Sequence, residues 1–354
     1  MKRLISSCVL ALSGTAFLSA SVMAAEPASC QNVRMGVVNW TDVIATSAMT
    51  QVLLDGLGYS TKQTSASQQI IFAGIRDQRL DLFLGYWNPL MTQTITPFVD
   101  ANQVKVLEAP SLKDARATLA VPTYLADKGL KTFADIAKFE KELGGKIYGI
   151  EPGSGANTQI KAMIAKNQFG LGKFQLVESS EAGMLAAVDR AVRRKEAVVF
   201  FGWAPHPMNV NVKMTYLTGS DDALGPNEGM ATVWTVTAPK YAEQCPNIGR
   251  LLTNLTFTAE DESRMMQPLL DHKDALESAR QWLKDKLATV DDRAKRPTED
   301  EFDRVYAVNV KSIFHMVHAV VPGLFVKTAS RTVVQLDAEM RGRKPAPGEE
   351  EFAY

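Results

Sequence analysis

Short apolar runs alternate with amphipathic stretches along most of this chain. Residues 33–40 and 81–87 are apolar runs of strand length, the second stopped by Asn88-Pro89. Residues 118–121, 146–150 and 197–203 read the same way. Between them, apolar positions recur at helical spacing over 43–57 (ended by Gly58), 159–167 and 181–195. A charge-rich stretch from Glu260 continues as helix to about Leu287. Strands alternating with helices predict an α/β protein with mainly parallel sheets. At roughly 100–200 residues per domain, 354 residues make two lobes.

The first residues have a different character. Lys2 and Arg3 precede an uncharged, mostly apolar run over 4–18, and small residues follow up to Ala24-Ala25-Glu26. This is the layout of a secretory signal peptide, residues 1–24, cleaved near Ala24. The run is shorter than the roughly 20 residues that span a bilayer. Cleavage would remove two positive charges from a chain whose 39 basic and 39 acidic residues balance, leaving it weakly acidic. With 46% hydrophobic and 22% charged residues and no basic surplus, the composition excludes a disordered tail protein and a general nucleic-acid binder. Beyond Cys8 only Cys30 and Cys245 remain, a candidate disulfide in an oxidising compartment or else two buried thiols.

Three of the five tryptophans close an apolar run beside a turn. Trp40 precedes Thr41-Asp42, Trp87 precedes Asn88-Pro89, and Trp203 precedes Ala204-Pro205. Gly85 and Gly202, just before Trp87 and Trp203, permit close backbone approach. Ligands of open α/β sheets bind outside the carboxyl ends of the strands. A lone tryptophan there is ordinary packing. Three at equivalent positions, with the carboxylate of Asp42 beside one, predict an electron-rich box for a cation without N–H donors. The turn from Glu151 to Asn157 could face a ligand through its amides and Ser154, or could simply connect strand to helix. His206, His272, His315 and His318 do not cluster at metal-ligand spacing, and no catalytic triad is assembled, so no metal, cofactor or enzymatic activity is expected.

The segments Asn39-Trp40-Thr41-Asp42, Leu84-Gly85-Tyr86-Trp87-Asn88-Pro89, Glu151-Pro152-Gly153, Glu178-Ser179-Ser180-Glu181, Gly202-Trp203-Ala204-Pro205-His206-Pro207-Met208 and Gly225-Pro226-Asn227 share a likeness. Together they resemble the substrate-binding proteins of choline and glycine-betaine ABC importers, the choline-binding branch especially, over about residues 30–287. The resemblance implies a type II periplasmic binding fold of two α/β lobes closing at a hinge. Lobe one would comprise residues 26–114 plus 215–290, and lobe two residues 115–214. It further implies a monomeric periplasmic receptor for a small quaternary ammonium ligand, with an ABC permease as partner. Trp40, Trp87 and Trp203 would wall the cage and Asp42 would meet the cation or a hydroxyl; the residues themselves add Ser154, from its turn, and Tyr86, beside Trp87, as further ligand-binding candidates. The resemblance also pairs Cys30 with Cys245.

Two positions depart from that branch, which carries a tyrosine where this chain has Ala117 and an asparagine where it has Ser154. Losing an aromatic wall widens the pocket and removes a contact of ~0.5–2 kcal/mol. Arg116, turned inward by a bulge, would favour a carboxylate; in a regular strand Ala117 lines the pocket, Arg116 points away, and Tyr86 or Trp234 fills the gap. After about residue 287 the likeness fades. Residues 301–312 resemble a central helix of short-chain dehydrogenases, and Ser111, Tyr124 and Lys128 imitate that family's spacing, so an NAD(P)-dependent oxidoreductase is the rival reading. Its motifs stand in the wrong order and no glycine-rich nucleotide loop follows the first strand. The tail, 291–354, is therefore read as a fused fragment without activity.

Overall fold

A computed structural model describes residues 26–220 and 222–294. The expected signal peptide and nearly all of the tail lie outside the described residues. Ten strands form one sheet: β1 (Asn32–Val37), β2 (Ser60–Ser65), β3 (Leu82–Asn88), β4 (Lys105–Val106), β5 (Leu112–Pro122), β6 (Lys146–Tyr148), β7 (Gln175–Val177), β8 (Phe200–Ala204), β9 (Met214–Tyr216) and β10 (Met230–Thr237). Their order is β2-β1-β3-β10-β5-β8-β6-β7, with β4 paired to β10 and β9 to β5.

The outer pairs are parallel, β1 with β2 and β3, and β6 with β7 and β8. Around β5 and β10 every pair is antiparallel. The expected mainly parallel arrangement therefore holds only in each outer half. The two halves meet at β5 and β10. The first part of β5, Leu112 to Arg116, pairs with β10, and its second part, Arg116 to Ala120, pairs with β8.

Helices pack on this frame where their apolar faces require it. Helix α1 (Thr41–Gly56) follows the extended Trp40 and carries Asp42 in its first turn, where a carboxylate suits the positive end of the helix dipole. It is buried along most of its length between β3 and two later helices. A Cβ on Gly85 would stand 2.4 Å from Val43 Cγ2, so glycine lets α1 lie flat on β3. Gln68 and Gln69, which open helix α2 (Gln68–Arg76), donate to the Gly153 carbonyl just before helix α3 (Gly155–Ala165), and Ser154 caps α3 by accepting from the amide of Asn157.

Helix α4 (Glu181–Arg194) is capped by Ser180 and buries Met184, Val188 and Ala191, an i, i+4, i+7 stripe. Helix α5 (Pro246–Asn254) begins at Cys245, whose sulfur is bonded to that of Cys30 just before β1. The charge-rich stretch forms two helices, α6 (Ala259–Leu270) and α7 (Ala275–Ala294), separated by a turn in which His272 has φ +61°. Both pack on α1 through Met265, Met266 and Ala279.

Candidate functional site

The carboxyl ends of β1, β3 and β8 converge on one cavity at the junction of the two halves. Its walls include Trp40, Asp42, Trp87, Ala117, Phe201 and Trp203, together with Leu90, Met91, Ile150 and the Ser154–Ala156 turn. The indoles of Trp40, Trp87 and Trp203 are buried. Each arrives by a different local route. Trp40 is the extended residue before α1, while Trp87 and Trp203 are the penultimate residues of β3 and β8.

Two of the indoles are pinned by their edges. Trp87 Nε1–H donates to Asp42 Oδ2 at 2.8 Å, and Trp40 Nε1–H donates to Glu151 Oε1 at 2.9 Å. An N–H lies in the ring plane, so anchoring it fixes that plane while leaving both π faces unblocked by the bond. Trp203 is held by packing instead. Phe201 lies 5.6 Å away, and the His206 ring meets it edge-on at 4.8 Å.

The charge of the site is negative. Burial, and then the charge of Glu181, push the Asp42 carboxyl up to about 6, against the pull of the Trp87 N–H. Burial likewise raises Glu151, and it raises Glu262 on α6 well above the carboxylate range, with Asp42 adding to the latter. Among the described residues no lysine or arginine stands on the cavity wall. Such a wall solvates a cation by π faces and one carboxylate; among the described residues, the side chains on it that can accept from an ammonium N–H are those of Asp42 and Ser154.

Most of the residues expected from the sequence meet here. Trp40, Asp42, Trp87, Trp203 and Ser154 all line the cavity. Tyr86 does not. It alternates with Trp87 along β3, so it faces the other side of the sheet, and its hydroxyl lies 3.3 Å from Asn88 Oδ1 and from Thr92 Oγ1. Trp234, opposite Tyr86 in the ladder, is also absent from the wall and donates to Thr232 Oγ1. Ala117 lines the cavity opposite Trp203, and Arg116 turns away, its guanidinium 5.8 Å from the Tyr216 ring centre. The inward arginine is thereby excluded, and Phe201 rather than Tyr86 or Trp234 borders the space beside Ala117.

Phe201 was accessible to sequence reasoning, since it stands two residues before Trp203 and must share its face. Glu151, Glu181 and His206 carried no local signal of their contacts. The dehydrogenase-like residues are engaged elsewhere. Tyr124 donates to the Glu196 carbonyl and Ser111 to that of Val233. Among the described residues no group of His, Cys, Asp and Glu could hold a metal ion.

A mixed sheet in two halves with an aromatic, anionic cavity at their junction defines a binding protein of the two-lobed periplasmic type. Residues 31–285 match the substrate-binding domain of the ABC-type glycine betaine transport system, and the chain belongs to that family. Residues 306–344 match a family of unknown function. A solved ABC-transporter choline-binding protein in complex with choline is 42% identical, with a TM-score of 0.72, over 81% of this chain and 100% of that one. An uncharacterised protein of Chromohalobacter salexigens is 37% identical over 157 residues, 44% of this chain and 99% of the relative. A glycine betaine/carnitine transport binding protein of Listeria monocytogenes is 29% identical over 174 residues, 47% of this chain and 57% of the relative. The family consists of receptors rather than enzymes, and nothing in these likenesses favours a dehydrogenase.

Proposed function

We propose that this protein is the extracytoplasmic receptor of an ABC importer, and that it binds a small quaternary ammonium compound of the choline, glycine betaine and carnitine type between Trp40, Trp87 and Trp203. The observation that carries this reading is the convergence of three buried indoles and Asp42 on one cavity. A quaternary ammonium has no N–H to satisfy and is desolvated cheaply against π faces, each contributing ~0.5–2 kcal/mol. Asp42 balances its charge. With no cationic side chain on the wall among the described residues, a ligand bearing only the positive group is favoured over one that must also bury a carboxylate.

The lobes proposed are residues 26–114 plus 215–290 and residues 115–214. Supporting a hinge is the passage of β5 from pairing with β10 to pairing with β8. The ladder from Thr215 to Val121 and the bridge from Thr218 to Thr132 favour a return crossing nearer Met230. Closure of the lobes would present the loaded form to the permease, with the receptor acting as a monomer. A periplasmic location after loss of residues 1–24 follows from the same reading. Among the described residues no helix is long and apolar enough to cross a membrane.

Calorimetric titration with choline, glycine betaine, carnitine and NAD tests the proposal. Binding of at least one quaternary amine, choline foremost, is expected, with an unchanged order of preference in Arg116→Ala. Binding of NAD without response to any quaternary amine would overturn it.

A further inference from the structure

Beside the cage, one buried carboxylate gathers three hydrogen bonds that bind no ligand. Glu181, the first residue of α4, accepts the backbone N–H of Thr41 at 3.0 Å through Oε2 and the Thr41 hydroxyl through Oε1. His206 Nε2 lies 3.1 Å from the same Oε1. The amide of Met208 donates to His206 Nδ1 at 2.9 Å, so Nδ1 carries no proton and the ring's single N–H is on Nε2, pointing at Glu181. The His206 side chain is 0% exposed and that of Glu181 5%.

The partners come from opposite sides of the cleft. Glu181 and His206 belong to the half built on β8, whereas Thr41 opens α1 in the half built on β1, 140 residues earlier. Thr41 stands between Trp40, a wall of the cavity, and Asp42, the one charged side chain on that wall among the described residues. A carboxylate over the first amide of a sixteen-residue helix also meets the positive end of that helix's dipole. Other bonds across the cleft have a partly exposed partner, such as those from Trp40 to Glu151 and from Gln68 and Gln69 to the Gly153 carbonyl. In the Thr41–Glu181 pair both residues are buried.

We infer that Glu181, aimed by His206, is the positioning residue of the closed cleft: it locks the Trp40–Asp42 turn when the halves meet, and so sets how long a ligand is held rather than which ligand is chosen. The inference rests on the reading of a receptor that closes over its ligand. In an open cleft Glu181 and the Thr41 N–H are both hydrated, and the bond between them exists only on closure. A contact made after encounter acts on the dissociation rate and leaves association nearly unchanged.

The test is stopped-flow tryptophan fluorescence with choline, glycine betaine and carnitine. Glu181→Gln and Thr41→Val should each raise the dissociation rate about tenfold or more, with association within about twofold of wild type and the order of ligands preserved. Thr41→Ser, which keeps the hydroxyl, should return to the wild-type rate, and the double variant should be no worse than the poorer single one. Unchanged dissociation rates, or a Thr41→Ser as fast as Thr41→Val, would overturn the inference.

A second measurement separates this failure from failure of the proposed ligand class. Spin labels at Lys62→Cys and Lys128→Cys, both exposed and on opposite halves, report the closed population by distance. That population should shrink in Glu181→Gln with or without ligand. If no quaternary amine binds but a closed population persists and depends on Glu181, only the ligand class is wrong. A closed population indifferent to Glu181, or absent under every condition in wild type, would sink the latch itself.

Discussion

Asp42 carries the charge on the cavity wall, and its position has a thermodynamic consequence. Its carboxyl is raised to about 6, chiefly by burial, from an ordinary 3.8. A raised folded value means that the folded protein holds this proton more tightly than the unfolded chain does. The group's stabilising contribution is therefore complete below about pH 4 and is lost as the pH rises through about 6. A bound cation reverses the sign, because it favours the carboxylate. Affinity for choline should thus fall as the pH drops below about 6, approaching tenfold per unit, and the thermal shift on adding choline should be larger at pH 7 than at pH 5. Titrations across that range in wild type and Asp42→Asn check this; the variant should bind weakly with a flat profile. Among the indoles, Trp40→Ala, Trp87→Ala and Trp203→Ala should each weaken binding more than tenfold, over ~1.4 kcal/mol, while Trp282→Ala should lower the melting temperature and spare affinity. Trp282 packs half-buried against the Met49–Met265 cluster on the far side of α1, with Lys286 Nζ 5.0 Å from its ring centre. These tryptophans were legible because a strand end is a local feature. Tyr86 was misread because adjacency in sequence means opposite faces in a strand. Glu181 and His206 were illegible because their meaning depends on Thr41, which only the tertiary fold brings near.

The start of α3 shows how closely the two halves approach. A Cβ placed on Gly155 would lie 2.1 Å from the Leu90 carbonyl oxygen and 2.7 Å from its carbon. Those are backbone atoms of the segment after β3 and cannot swing aside. Gly155→Ala should therefore hold the cleft ajar, reducing affinity more than tenfold while leaving the melting temperature of the ligand-free protein near wild type. Calorimetry beside a thermal melt checks it, and normal affinity would mean that the shut form tolerates a looser approach. Helices such as α4 could be read directly, because a serine cap, a first-turn glutamate, an apolar stripe and Arg193-Arg194 in the last turn all agree. The strand β10 could not. No strand is expected over 230–237 from the pattern, and its place between β3 and β5 is set by pairing with segments more than a hundred residues away. Without that place the antiparallel centre of the sheet stayed invisible.

The disulfide ties the start of β1 to the start of α5, at the end of β1 away from the cavity. In the chain-entropy picture a closed loop of this length contributes ~4–5 kcal/mol. Reduction, or Cys30→Ser with Cys245→Ser, should lower the melting temperature by roughly 10 °C and change choline affinity by less than about twofold. A large loss of affinity would show that strain travels along β1 to Trp40. The two-lobed architecture was legible in the alternation of strands and helices and in the family likeness, whereas the mixed sheet was not. That sheet also dictates a timetable. β3 and β5 are close in the chain, yet they never touch as a pair, because β10 slots between them. Until residue 237 has been made, both strands present bare ladder edges, and the central joint has no substance. A chain delivered amino-terminus first would therefore stay open and pliant until most of it had emerged. For the export proposed above, that delay would keep the chain threadable through a translocation channel.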